Sequence, residues 1–96
     1  MIDFDNTLKL MTAIKSKLEE DIPEDVLIKL IKKEAELILA IEMEISELEC
    51  GKERIIMRYR YIDCMTWDSI AEIFGYSLRN IHKIHSKALR ELQAAG

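Results

Sequence analysis

The sequence of 96 residues is poor in the residues that break regular structure, with one Pro and three Gly. So few turn formers leave little room for tight turns and long loops, while Ile, Leu, Lys and Glu are abundant. This composition favours an all-α protein. The two cysteines, Cys50 and Cys64, are too few for a disulfide framework, so we expect both thiols to be reduced.

Long apolar runs are also missing, because no stretch approaches the ~20 residues that span a bilayer. The first residues, MIDFDNTLK, carry acidic side chains at once, unlike a signal peptide. We therefore expect a cytoplasmic protein. No grouping of nucleophile, base and acid stands out, which predicts that the chain is not an enzyme and needs no cofactor or metal.

The net charge of −4 hides an uneven distribution. Residues 1–51 hold 13 acidic side chains and six lysines, a net charge of −7, whereas residues 52–96 hold five acidic and eight basic side chains, a net charge of +3. Such a split suggests two roles. We expect an acidic helical arm at 1–51 and a helix-turn-helix DNA-binding unit at 52–96.

The arm is predicted to contain two helices, a hairpin with coiled-coil character. The first covers residues 6–20, with Asp5 or Asn6 as its N-cap and Phe4 as a hydrophobic staple. The second covers residues 23–49, with Gly51 as its stop signal. Its apolar residues follow a heptad-like seam with one gap at Glu34: Leu27, Ile31, Ile38, Ile41, Ile45 and Leu48. The apolar face of this helix is broader than a two-stranded zipper needs. We therefore expect the arm to form a homodimer.

The most informative segment runs from Thr66 to Leu92 and reads as two helices separated by a short turn. Thr66 is a good N-cap for the first helix, and Gly75 supplies the left-handed residue that ends it. Ser77 then caps the second helix. Together with a supporting helix at 52–62, this predicts a three-helix unit with a helix-turn-helix.

The last helix separates apolar from polar side chains. Ile81, Ile84, Ala88 and Leu92 define its buried stripe. The opposite face carries polar and basic residues: Arg79, Asn80, His82, Lys83, Ser86, Lys87 and Arg90. Because Arg, Lys, Asn and Ser suit base edges and phosphates, we predict that this face binds DNA. Arg79, Asn80 and Lys83 are the predicted base contacts, and Lys87 and Arg90 the phosphate contacts.

Residues at the helix starts complete the predicted site. Ser77 and nearby backbone amides could hold a phosphate oxygen, and Thr66 and Trp67 are placed for the same role. A basic helix face can also be merely solvated, and Trp67 also suits a packing role. His82 and His85 would add positive charge below neutral pH, although their spacing of three does not by itself indicate a metal.

The run from Glu53 to Leu92 resembles region four of bacterial sigma factors, a supporting helix followed by a helix-turn-helix that reads the −35 promoter element. The segments RYRYID, TWDSIAEIFGYS and IHKIHSKAL are similar to small phage-encoded sigma-like regulators of the ArpU/RinA type. That resemblance implies a phage or prophage regulator of late genes. The family usually has Gly where Cys64 stands, and Ser69 replaces the Glu of a capping box.

Two functions remain open from the sequence. The first is a sequence-specific regulator that binds double-stranded DNA, as a homodimer held by residues 1–51. The alternative is a protein-interaction adaptor that docks on RNA polymerase or another partner, with DNA contact secondary.

Overall fold

The computed structural model describes residues 2–95, which form five α-helices without a β-strand. The all-α class and the C-terminal helix-turn-helix predicted from the sequence are confirmed. The helices follow one another in the order α1 (Phe4–Leu18), α2 (Glu24–Ile45), α3 (Gly51–Tyr61), α4 (Trp67–Phe74) and α5 (Leu78–Ala95).

Helix α1 begins two to three residues earlier than predicted. Asp3 is the N-cap, and its carboxylate accepts a hydrogen bond from the Asn6 amide at 3.1 Å. The prediction of Asp5 or Asn6 as cap is therefore wrong, and so is Phe4 as a staple ahead of the cap. Phe4 is the first helical residue, and its buried ring packs on Tyr61 with centroids 4.8 Å apart.

Helix α2 ends at Ile45 rather than at Glu49, and Gly51 does not stop it. The chain turns at Ser46, whose hydroxyl donates to the Met43 carbonyl at 2.6 Å, and Leu48 is buried beyond the turn. The Arg54 guanidinium donates to the carbonyls of Leu48 and Glu49 at 2.6 and 3.0 Å. Gly51 is instead the first residue of α3. The backbone carbonyls of the connection before it have Arg54 as their hydrogen-bond partner.

One core cluster joins the arm to the C-terminal helices. It takes its buried residues from α1, from α2 and the turn after it, from α3 and from α5: Phe4, Met11, Ile41, Ile45, Leu48, Met57, Tyr61, Ala88 and Leu92. A bidentate ion pair between Arg58 of α3 and Glu42 of α2, with both N–O distances 2.9 Å, adds a polar link. The arm and the helix-turn-helix unit thus share hydrophobic packing.

A second cluster holds the helix-turn-helix itself. Ile56 of α3, Ile70 and Ala71 of α4, and Ile81 of α5 are buried together, with Phe74 and Tyr76 packed at its edge. Helix α3 contributes to both clusters. It therefore positions α4 and α5 relative to the arm.

Candidate nucleic-acid interface

The first helix of the helix-turn-helix starts at the predicted cap. Thr66 Oγ1 accepts a hydrogen bond from the Ser69 amide at 3.2 Å and lies 2.9 Å from the Ser69 hydroxyl, to which it donates. Ser69 occupies the place of the capping-box Glu, so the two hydroxyls form a smaller polar cap. Thr66 is exposed at this helix start.

The turn between α4 and α5 also follows the sequence prediction. Gly75 has φ 68° and ψ 28°, the left-handed conformation that glycine adopts without steric cost. The Tyr76 amide donates back to the Ala71 carbonyl at 3.1 Å, which closes the end of α4. Ser77 Oγ then accepts from the Asn80 amide at 3.1 Å, so its role as the cap of α5 is confirmed.

Helix α5 presents its predicted polar residues to solvent. Ile81, Ala88 and Leu92 are buried and Ile84 is partly buried, which places the apolar stripe against α3 and α4 or against the arm. The seven polar residues of the opposite side are all exposed: Arg79, Asn80, His82, Lys83, Ser86, Lys87 and Arg90. We call these seven residues the α5 polar face.

The cations of the α5 polar face differ in their surroundings. Within residues 2–95, Arg79, Lys83 and Arg90 form no ion pair. Lys87 is different, because its Nζ lies 3.8 Å from Oε1 of Glu53 and 3.8 Å from Oε1 of Glu91. Its charge is thus shared with two carboxylates of the protein.

Glu53 is a residue that the sequence analysis missed. Its side chain is only 1% exposed, and burial is the main cause that raises the pKa of its carboxyl group. The neighbouring Glu91 raises that pKa further, while the Lys87 ammonium lowers it. In sequence Glu53 is an ordinary acidic residue in the first turn of a helix, and only the approach of α5 buries it.

Trp67 packs inside the unit rather than pointing freely outward. Its ring lies 4.9 Å from the ring of His82 and 4.6 Å from that of His85. On its remaining side the Arg60 guanidinium stacks 4.5 Å from the ring centroid. The indole therefore connects α3, the start of α4 and the middle of α5, next to the α5 polar face.

His85 belongs to the interior, although the sequence suggested that it could add positive charge just below neutral pH. Its Nε2 is hydrogen-bonded to Tyr61 Oη at 2.7 Å. Burial, aided by His82 and Arg60, lowers the pKa of His85 to about 4, and burial raises the pKa of Tyr61 to about 12. Both groups are thus neutral at pH 7, and the expectation is corrected for His85.

Two structural properties bear on other kinds of site. Among residues 2–95, no three side chains of His, Cys, Asp or Glu are grouped so that they could hold a metal ion. In the same part of the chain, no helix combines the length and apolar character that a membrane crossing requires.

Comparison with protein families identifies the C-terminal part of the chain. Residues 51–94 match the family model "Sigma-70, region 4", a span that contains α3, α4 and nearly all of α5. Over this span the chain is similar to sigma region four, and domains of that family are regulatory and bind DNA and RNA polymerase. No curated protein and no solved structure matches the chain.

Proposed function

From the sigma-region-four-like unit at residues 51–94, we propose that this protein is a sequence-specific DNA-binding transcriptional regulator that inserts α5 into the major groove. The observation that supports the proposal best is the α5 polar face. It combines exposed cations that have no ion pair in residues 2–95 with a side-chain amide, beside a capped helix start.

The roles follow from position along α5. Recognition helices contact bases mainly through their N-terminal residues, so Arg79, Asn80 and Lys83 are the proposed base contacts. Arg79 and Lys83 can donate to guanine, and Asn80 can pair with adenine. The other members of the α5 polar face, His82, Ser86, Lys87 and Arg90, lie farther along or to the side and serve the phosphates.

The helix starts would hold the DNA backbone. Ser77 and the first amides of α5 offer donors to a phosphate oxygen, and Thr66 and Trp67 mark the corresponding start of α4. Because Trp67 already packs on His82, Arg60 and His85, its proposed contribution is through the backbone of the helix start and through support of α5.

We propose further that the working form is a homodimer held by the arm, residues 1–51, and that residues 52–96 bind DNA. A single helix-turn-helix makes few contacts, and two linked units gain affinity from their joint attachment. The net charge of −7 makes the arm unsuitable for the DNA surface and leaves it for protein contact. The proposed setting is the cytoplasm of a bacterium, where the protein would control late genes of a phage or prophage.

Selection of binding sites from random oligonucleotides tests the proposal directly. We expect one preferred sequence, and Arg79→Ala or Asn80→Ala should relax the preference at one position, at a cost of about 1–3 kcal/mol for the preferred base. Trp67 is the single tryptophan and touches His82, so its fluorescence can report binding in solution.

Salt and a charge-matched control sharpen this test. Affinity should fall steeply as salt rises, and Arg90→Ala, at a proposed phosphate contact, should reduce the salt slope by about one. Lys9→Ala removes an equal charge from the exposed side of α1 and should leave the salt slope unchanged. A folded protein that binds no DNA at low salt would refute the proposal.

A second candidate function is an adaptor that docks on RNA polymerase. It is favoured by three exposed apolar side chains on the helix-turn-helix unit, Ile55, Ile73 and Leu78. Purified polymerase should then be retained by the chain even after the double change Arg79→Ala, Lys83→Ala. If that variant no longer retains the polymerase, the polymerase is recruited through the residues proposed to bind DNA.

A further inference from the structure

Helix α2 has two apolar faces, of which the fold uses one. Ile41 and Ile45 are buried against α1 and α3, as the core requires. A second set follows spacings of three, four, four and four, which gives an exposed line that winds from beside the buried face around the solvent side of the helix. We call this set the outer strip: Ile28, Ile31, Ala35, Leu39 and Met43.

The outer strip is open to solvent along its whole length of about 22 Å. Leu39 and Met43 are 62% and 65% exposed, the highest values among the large apolar side chains described as exposed. Single exposed apolar residues are ordinary, but a continuous line of them along one helix marks a contact surface.

Charge along α2 is ordered in a way that selects a partner. After the acidic first turn, Glu24 and Asp25, a basic stretch carries Lys29, Lys32 and Lys33, and beyond Ala35 an acidic stretch carries Glu36, Glu42 and Glu44. Two copies of α2 side by side in parallel would bring lysines near lysines and glutamates near glutamates. Two antiparallel copies bring the basic stretch 29–33 of each helix beside the acidic stretch 36–44 of the other.

We infer that the outer strip binds a second copy of this chain, with the two α2 helices antiparallel across a two-fold axis at Ala35. This inference rests on the proposed homodimer and specifies its surface and orientation. In this register the strip is complementary to itself, because Ile31 faces Leu39 of the second copy and Ile28 lies within one residue of facing Met43. The small side chain of Ala35 meets its equivalent and allows the helices to approach closely.

The charges at the edge of the strip agree with that register. On an antiparallel pair, side chains on the same edge of both helices become neighbours, and Lys32 and Glu36 share an edge. Lys32 would therefore lie beside Glu36 of the second copy, on both sides of the axis. Within its own chain Glu36 has only a loose contact with Lys33, at 4.0 Å, and stays exposed. Such pairs set orientation more than affinity.

Sedimentation velocity of the intact chain tests whether the strip mediates dimerisation. Stable interfaces bury about 800 Å² per partner, and a single helix face offers less, so we expect a dimer that dissociates on dilution. Leu39→Gln should shift the chain to monomer at concentrations where the wild type is dimeric. Ile73→Gln changes a similarly exposed side chain, 57%, on α4 and should leave the dimer intact.

Disulfide trapping tests the orientation. In a Cys50→Ser background, chains carrying Ile31→Cys and chains carrying Leu39→Cys are mixed and oxidised, and the disulfides are mapped by mass spectrometry. The antiparallel register predicts mixed disulfides between the two variants. Disulfides only between identical variants would establish a parallel pair and overturn the inference.

The remaining outcomes are also decisive. A wild-type chain that is monomeric at all concentrations, or a dimer that survives Leu39→Gln, overturns the outer strip as the interface. DNA binding is measured separately through Trp67 fluorescence. A strip-dependent dimer without DNA binding would therefore refute the proposed DNA binding but not this inference, and a DNA-binding monomer would refute this inference and the proposed homodimer but not DNA binding.

Discussion

The Lys87 ammonium lies 3.8 Å from Oε1 of Glu53, a carboxylate buried directly beneath the α5 polar face. Sequence alone presents Lys87 as a free phosphate contact. In the folded chain the positive charge of Lys87 stabilises the ionised form of Glu53, whereas burial and the neighbouring Glu91 disfavour that form. Within residues 2–95, Arg79, Lys83 and Arg90 have no such ion pair.

Glu53→Gln should therefore strengthen DNA binding by removing one of the two carboxylates beside Lys87. Because the Lys87 ammonium is exposed and keeps its contact with Glu91, we expect the change to be worth at most about 1 kcal/mol, a gain of up to about fivefold in affinity, equal for all sequences. Stability at pH 7 should stay the same or increase, because a buried carboxylate with a raised pKa is removed. Fluorescence titration and thermal melting measure the two effects.

The control for this prediction is the double variant Glu53→Gln, Lys87→Ala. If the gain depends on Lys87, it should disappear there. A gain that persists without Lys87 would mean that Glu53 acts on DNA through its own charge.

The second prediction concerns pH and His85. Its pKa is about 4 in the folded chain, below the usual 6.5, so the unfolded chain takes up a proton at a higher pH than the folded one. The free energy of unfolding should thus be unaffected by this group above pH 6.5. It should decrease as the pH falls from about 6.5 towards 4. Urea unfolding at several pH values measures this.

Substitution isolates the histidine from the acidic residues that titrate in the same range. His85→Gln should flatten the dependence between pH 7 and 5. An unchanged slope in the His85 variant would show that the contact with Tyr61 does not depend on a neutral imidazole.

A third prediction follows from the turn of the helix-turn-helix. Gly75 has φ 68°, and a Cβ atom there would meet nothing within 4 Å. Gly75→Ala should therefore destabilise the protein through backbone strain alone, by about 1 kcal/mol, which lowers the melting temperature by about 4–8 °C. Gly75→Asn should cost less, because Asn tolerates this conformation better. Equal melting temperatures of the wild type and the Gly75→Ala variant would contradict backbone strain at this position.

Cys64 supports a fourth prediction, because it is the only non-glycine residue with positive φ, 56°, among residues 2–95. The resemblance to sigma region four implies Gly at this position, and the conformation gives the physical reason. Cys64→Val should be less stable than Cys64→Ala by about 1 kcal/mol, although Val is larger and more apolar, since branched side chains suit positive φ least. Chemical unfolding of both variants decides the order.

A fifth prediction concerns the DNA site. A dimer with a two-fold axis binds two equivalent half-sites in opposite directions. Sites selected from random oligonucleotides should therefore contain an inverted repeat, and Leu39→Gln should reduce the selection to a single half-site. A single, unrepeated site selected by the wild type would favour a monomer on DNA.

The helix-turn-helix was largely predictable because its signals are local. Thr66, Gly75 and Ser77 act on backbone groups within a few residues of themselves, so their roles can be read from the order of residues. The same holds for α5, where helical spacing alone separates Ile81 and Ala88 from Arg79 and Lys83.

The errors arose where distant contacts decide the outcome. Helix α2 stops at Ile45 because Leu48 turns into the core and Arg54 binds the carbonyls of the connection, and no local stop signal marks that point. The burial of Phe4 depends on Tyr61, 57 positions later, whose ring packs against it. The sequence did not indicate that Glu53 is buried or that His85 is partly buried, for the same reason.

The sequence by itself determined the helical class, the turn between α4 and α5 and the amphipathic character of α5, since capping, glycine conformation and helical spacing are properties of neighbouring residues. Tertiary structure alone decided which charges of α5 are free, that His85 is neutral, and that α2 keeps an apolar strip in solvent. Those properties depend on which helices meet, because burial and ion pairing are set by groups far apart in the chain.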